Sequence, residues 1–168
     1  LVENLLFLAR FDNMQSQLSL STFSVGELFG ELLEEQALID PDHSYEVSID
    51  LSDDALTADR TMIKQLLRAL IDNSVKYTQN GGIIQLSFGS NDANAVLSVS
   101  DDGIGMDAEH CEHIFGRFDR VDPARARATG GMGLGLSIVS VIVQAHNASV
   151  FAESSPGTGT TVSVHLPK

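Results

Sequence analysis

In the stretch Asn73-Ser74-Val75-Lys76-Tyr77-Thr78, Asn73 and Lys76 stand about one helical turn apart. An amide oxygen can ligate a hard cation and an ammonium can neutralise phosphate charge, so this pair suits a metal-bound phosphate. A solvated helix edge is the plain alternative, because any amphipathic helix has polar flanks. Further along, Asp101-Asp102-Gly103-Ile104-Gly105-Met106 sets a carboxylate just ahead of glycines. A carboxylate accepts from an exocyclic amine, and glycine lets the backbone approach a flat ligand. A turn that uses glycine for positive φ is the alternative. The stretch is not a dinucleotide fingerprint, which needs a third glycine and a helix opening at once.

Gly130-Gly131-Met132-Gly133-Leu134-Gly135-Leu136-Ser137 is a glycine-dense loop running into an apolar helix. Free N–H groups at a helix start, together with the helix dipole, favour phosphate oxygens. The loop lacks the Gly-Lys-Ser/Thr ending of a P-loop. Pro156-Gly157-Thr158-Gly159-Thr160 reads by itself as a turn opening the last strand.

The elements that must carry these groups follow from periodicity. Leu1, Leu5, Leu8 and Phe11 recur at helical spacing, as on the stripe of a helix packed against another helix. Phe23 and Val25 suggest a short strand, and Leu28, Phe29, Leu32, Leu33 and Ala37 a helix stopped by Asp40-Pro41. Tyr45, Val47, Ile49 and Leu51 alternate with Glu46, Ser48 and Asp50, the pattern of a half-buried strand. A helix is predicted over 59–77, with Ile63, Leu66, Leu67, Leu70, Ile71 and Ser74 on one face. Runs at 83–88 and 95–101 read as a hairpin, a short helix is expected over 108–115, and Leu136, Val139, Val143 and His146 mark another helix. Strands at 150–152 and 161–166 close the chain. The order predicts a two-layer α/β sandwich, with a mixed, mostly antiparallel sheet covered on one face by helices.

The 168 residues suffice for one domain, and 43% hydrophobic with 20% charged residues is a globular composition. A net charge of −13 repels nucleic acid and acidic lipid, so neither is expected as a partner. The single cysteine, Cys111, excludes an internal disulfide and a thiolate metal cluster, in keeping with a reducing compartment. The chain begins at Leu1 rather than Met and is expected to be part of a longer protein.

Taken in order, these motifs resemble those of the catalytic ATP-binding domain of sensor histidine kinases, within the gyrase, Hsp90 and MutL ATPase superfamily with its Bergerat-type fold. The likeness runs over 23–168: Asn73 to Thr78 is similar to the N box, Asp101 to Gly105 to the first glycine box, and Ile114 to Val121 to the F box. Gly131 to Ser137 is similar to the second glycine box and Gly157 to Thr160 to the third. Residues 1–20 resemble the end of the dimerisation and phosphoacceptor helix with its linker, leaving 21–168 as the catalytic domain.

The resemblance implies that Asp101 binds the adenine amine, that Asn73 ligates Mg²⁺, and that Lys76 and Tyr77 line the nucleotide with Lys76 near phosphate. It counts Gly103, Gly105, Leu134 and Leu136 with the ATP-binding residues. Gly131, Gly133 and Gly135 belong to the lid hinge and phosphate loop, Arg117 or Arg120 approaches the γ-phosphate, and Thr160 closes the base pocket. Lys76, Arg117 and Arg120 are the implied catalytic set. The implied reaction is transfer of the γ-phosphoryl of Mg-ATP to a histidine on a separate dimerisation domain, outside these residues, of a homodimeric cytoplasmic or membrane-anchored sensor. A response regulator is the implied downstream partner.

Two positions depart from the pattern. Ala69 stands where histidine kinases usually carry Asn and hydrolysing relatives a Glu base, and Asp119 replaces an aromatic residue of the F box. None of His43, His110, His113, His146 and His165 has the phosphoacceptor context, an acidic residue next and a proline soon after. The competing readings are an ATP-driven conformational ATPase, which Ala69 disfavours, and a degenerate nucleotide-binding or protein-interaction module without transfer.

Overall fold

A computed structural model describes residues 18–50, 53–107, 111, 114 and 134–168. Expectations that fall on the leading helix, on residue 51, on most of 108–115 and on 115–133 lie outside the described residues; Cys111 and Ile114 are helical.

Among the described residues the first element is β1 (Leu20–Ser24), which runs directly into helix α1 (Val25–Ile39). Val25 is thus the first helical residue rather than a strand residue. Ser24 is the N-cap: its Oγ accepts from the Glu27 N–H at 3.1 Å, in the Ser-x-x-Glu spacing that starts a helix. The Asp54 carboxylate reinforces that end, accepting from the Gly26 N–H at 3.1 Å and from the Ser24 hydroxyl. Helix α1 buries Val25, Leu28, Phe29, Leu32 and Gln36, then stops at Asp40, where Pro41 cannot continue it.

Strand β2 (Ser44–Ile49) lies at a sheet edge, so the predicted alternation is only partly realised: Tyr45 and Ile49 are half-buried while Val47 is exposed. A short strand that periodicity did not reveal, β3 (Ala55–Asp59), pairs antiparallel with β1 as a separate two-stranded sheet. Its last residue, Asp59, caps helix α2 (Arg60–Tyr77) by accepting from the Met62 N–H at 3.1 Å. Every residue of the predicted α2 face, from Ile63 to Ser74, is buried, and Ala69 joins it.

Strands β4 (Ile83–Ser90) and β5 (Asn94–Asp101) form the expected hairpin. Helix α3 (Leu134–Ala145) precedes β6 (Ser149–Ser155) and β7 (Gly159–Pro167). The main sheet has the order β2-β4-β5-β7-β6; β2–β4 is parallel and the other pairings are antiparallel. Register aligns Leu86, Val99 and Val162 across three strands on the face buried with the helices. The opposite face carries half-buried hydroxyls, with Ser98 and Ser163 bonded at 2.9 Å and Ser100 and Thr161 at 2.7 Å. The described elements therefore form the predicted two-layer sandwich.

Besides its buried face, ion pairs and a buried histidine tie α2 to its neighbours. Glu31 and Glu35 of α1 pair with Arg60, Lys64 and Arg68 of α2. At the start of α2, the Asp59 N–H donates to Nε2 of the buried His146 at 3.1 Å, leaving Nδ1–H to donate to the Ile142 carbonyl at 2.9 Å. His146 is thus a packed link between α3 and the N-cap of α2.

Candidate functional site

The end of β5, the last turns of α2 and the β6–β7 turn meet around residues 101–106. Asp101 is the last residue of β5 and is paired in register with Ile84 on one side and Thr160 on the other. Its Oδ1 accepts from the Gly103 N–H at 3.0 Å and the Thr160 N–H at 3.2 Å, and its Oδ2 accepts from the Ser74 hydroxyl at 2.9 Å. These donors come from three parts of the chain: the loop itself, the opening of β7, and α2.

The loop after Asp101 is sewn to its neighbours through backbone. The Ile104 N–H donates to the Tyr77 carbonyl at 3.0 Å, and the Ile104 carbonyl accepts from the Gly157 N–H at 2.8 Å. The Met106 N–H donates to Ser154 Oγ at 2.9 Å, and Ser154 Oγ also lies 3.0 Å from Thr160 Oγ1. Such closeness needs glycine. Gly105 has φ +64°, and a Cβ there would sit 2.0 Å from the Ser155 carbonyl oxygen. Gly159 has φ +92°, and a Cβ there would sit 1.8 Å from the Asp101 carbonyl oxygen. At both positions glycine admits neighbouring protein backbone; at Gly105 the sequence suggests close approach of a ligand, and at Gly159 a turn opening the last strand.

Asn73 lies half-buried on α2, and its side-chain amide has no hydrogen-bond partner among the described residues. Lys76 is exposed, with Nζ 5.0 Å from the ring centroid of Tyr77. Three other described cations, Arg60, Lys64 and Arg68, are tied to Glu31 and Glu35, whereas Lys76 has no ion-pair partner among the described residues. No group of three His, Cys, Asp or Glu side chains converges among the described residues.

Leu134 begins α3, and Gly135 in its first turn faces Ala69, where an added Cβ would lie 3.8 Å from the Ala69 Cβ. Leu136 is buried beside it in the core. The structure thus brings Asn73, Lys76, Tyr77, Asp101, Gly103, Gly105 and Thr160 to one corner, with Gly135 and Leu136 on the helix packed against α2. Arg117, Arg120, Gly131 and Gly133 lie outside the described residues.

Two members were not recognised from sequence as parts of the site. Ser74 falls in the Asn73–Thr78 stretch and on the buried stripe without a role of its own in the sequence reading, yet a hydroxyl on an otherwise aliphatic stripe signals a partner across the interface. Ser154, which joins the loop to Thr160, has no local signal.

A family model described as histidine kinase-, DNA gyrase B-, and HSP90-like ATPase matches residues 58–168. The sensor histidine kinase WalK of Bacillus subtilis is 36% identical over 171 residues, which cover 99% of this chain and 28% of WalK. YkoH, a sensor histidine kinase of the same organism, is 47% identical over 109 residues, 65% of this chain and 24% of YkoH. The catalytic domain of histidine kinase ThkA superposes with a TM-score of 0.71 at 27% identity, over 89% of this chain and 97% of that one. The structure of Acinetobacter baumannii histidine kinase AdeS, at 24% identity and TM-score 0.77, covers 99% of this chain and 76% of its own and shares the fold. This chain spans only 23% to 41% of the length of the curated relatives it matches. With the matched segment holding α2, the Asp101 loop and the closing strands, the chain belongs to the histidine kinase-, DNA gyrase B- and HSP90-like ATPase family.

Proposed function

We propose that this domain binds Mg-ATP and transfers its γ-phosphoryl group to a histidine on a separate dimerisation domain of the parent protein. The observation that carries the reading is Asp101: three donors orient its carboxylate at the sheet end, and the described residues leave one of its roughly four acceptor positions open. That position accepts the exocyclic amine of adenine. Thr160, bonded through its N–H to the same carboxylate, closes the base pocket.

Asn73 suits Mg²⁺ because its amide is unengaged and one helical turn from Lys76; bound there, the ion would neutralise phosphate charge. Lys76 supplies the adjacent positive charge, and Tyr77 lines the nucleotide while its carbonyl anchors the Ile104 N–H. Arg117 and Arg120 are assigned to the γ-phosphate, Gly131, Gly133 and Gly135 to the phosphate loop and lid hinge, and Gly103, Gly105, Leu134 and Leu136 to the walls. Phosphoryl transfer depends mainly on positioning and charge neutralisation, the roles these side chains can fill. This domain acts in the cytoplasm, as part of a homodimeric parent that is itself cytoplasmic or membrane-anchored and that passes the phosphoryl group to a response regulator, with no direct contact of this domain with membrane or nucleic acid.

Ala69 supports phosphotransfer over hydrolysis, since no carboxylate stands at that position to activate water. The same residue favours, as a second reading, a module that holds nucleotide without transfer. One assay separates the three: radiolabelled ATP is incubated with this chain, with and without the parental histidine domain. Acid-labile label on that domain is the expected result. Brisk hydrolysis by the chain alone assigns it to the ATPase class, and measurable ATP binding without transfer assigns it to the binding module.

A further inference from the structure

We propose that Ser74 is a positioning residue that sets the preference of the site for an amino-purine over an oxo-purine. The proposal rests on the reading of Asp101 as the base-binding carboxylate.

Ser74 is only 5% exposed and sits among Ile63, Leu66, Leu67, Leu70 and Ile71 on the buried face of α2. A serine within a helix commonly turns its hydroxyl back onto the carbonyl four residues earlier. Ser140 in α3 does so, donating to the Leu136 carbonyl at 3.0 Å. Ser74 instead sends its single proton across the helix–sheet interface to Asp101 Oδ2 at 2.9 Å. It is the one side chain among the described residues that holds this carboxylate; the other donors are the backbone N–H groups of Gly103 and Thr160, both on Oδ1.

The consequence is orientational. Two backbone bonds pin Oδ1, and without a third the Oδ2 end can swing about the side-chain torsion. The Ser74 bond removes that freedom and fills one acceptor position on Oδ2, leaving the other at a set angle. An N–H donor on C6 of adenine satisfies it. The C6 carbonyl of guanine meets it acceptor to acceptor, which leaves two desolvated oxygens without a proton between them. Ser74 also bridges the helix that carries Asn73 and Lys76 to the strand end that carries Asp101, so base and phosphate recognition share one hinge point.

The test measures Mg-ATP and Mg-GTP affinity calorimetrically for the 168-residue chain and its Ser74→Ala, Ser74→Thr and Asp101→Asn variants. Ser74→Ala should weaken ATP by about tenfold, the worth of a bond to a charged group, and GTP by less than about twofold, so the ATP/GTP ratio falls. Ser74→Thr keeps the hydroxyl and should restore the ratio. Alanine is smaller than serine and a better helix former, so the melting temperature of Ser74→Ala serves as the check on folding. An unchanged ratio, whether the affinities fall together or neither moves, overturns the role of Ser74. If Asp101→Asn weakens ATP while Ser74→Ala leaves the ratio alone, only the positioning role falls. If Asp101→Asn leaves ATP affinity intact, the base-binding reading falls and this proposal with it.

Discussion

Replacing Asp101 with Asn changes one group in the site while conserving its shape. The amide oxygen can keep the bonds from the Gly103 and Thr160 N–H groups at 3.0 and 3.2 Å, because backbone donors do not distinguish amide from carboxylate oxygen by geometry. The amide nitrogen then takes the place of Oδ2, which lies 2.9 Å from the Ser74 hydroxyl in the native site, and that hydroxyl can reverse and accept from it. The fold should therefore survive with little loss. What changes is the open position, which becomes a donor facing the donor of an exocyclic amine. Losing one charge-assisted bond to an enclosed base costs about 1.5–3 kcal/mol. That corresponds to a dissociation constant raised roughly 10- to 150-fold for ATP and ADP alike. A nucleotide of unsubstituted purine, with hydrogen at C6, makes no such bond and offers no carbonyl in its place, so wild type and variant should bind it equally. Isothermal titration with the three ligands checks the reasoning. Unchanged ATP affinity refutes it, and so does a parallel loss for the ligand that lacks the amine.

Gly159→Ala should destabilise by about 2–4 kcal/mol, since it combines left-handed strain with a Cβ driven onto the Asp101 carbonyl, whereas Gly157→Ala, at φ +78° in open space, should cost only about 1–2 kcal/mol; urea denaturation midpoints compare them. His146→Ala leaves the Asp59 N–H unbonded at the α2 N-terminus and should cost roughly 2–4 kcal/mol by the same measurement. The bond from His43 to the Asp40 carboxylate raises the imidazole pKa against the opposing effect of burial, with the Thr78 carbonyl assisting. Its contribution is full below the unfolded value of about 6.5 and is lost as pH rises through the folded pKa, so His43→Gln should flatten that alkaline decline in stability. Burial pushes the Asp40 carboxyl up, but bonds from Tyr45 and His43 hold it below its ordinary value, so its share is lost as pH falls through the folded pKa; a tyrosine-to-phenylalanine change at Tyr45 should weaken stability at neutral pH more than in acid, read by denaturation at both.

Much of the site was legible because its signals are local. The spacing from Ile63 to Ser74 marks a helix with one buried face, and that phase leaves Asn73 and Lys76 beside the face. Asp101 ahead of glycines, and the turn at Pro156-Gly157, announce strand ends that can meet closely. The Ser24-Val25-Gly26-Glu27 capping spacing was also present in the sequence, and it overrides the β-propensity of Val25 once the Glu27 N–H is satisfied. Strand β3 left no comparable mark, for Ala55-Leu56-Thr57-Ala58-Asp59 is short and weakly β-prone and becomes a strand only by pairing with β1.

The sequence by itself determined the order of elements, the faces of the helices and the chemical types available at each strand end, since propensity, capping and periodicity act within a few residues along the chain. Which groups meet was decided only by tertiary structure. The Thr160 N–H reaches Asp101 because β5 and β7 pair in one register across 59 residues of sequence separation. Ser74 turns to Asp101 rather than to its own helix because α2 packs over the end of β5, and Gly159 must be glycine because the Asp101 carbonyl lies where a Cβ would go. The parallel placement of β2 at the sheet edge and the link from Asp59 to His146 are set in the same way. Such contacts depend on how distant surfaces close around a shared core, and a short-range pattern carries no information about that closure.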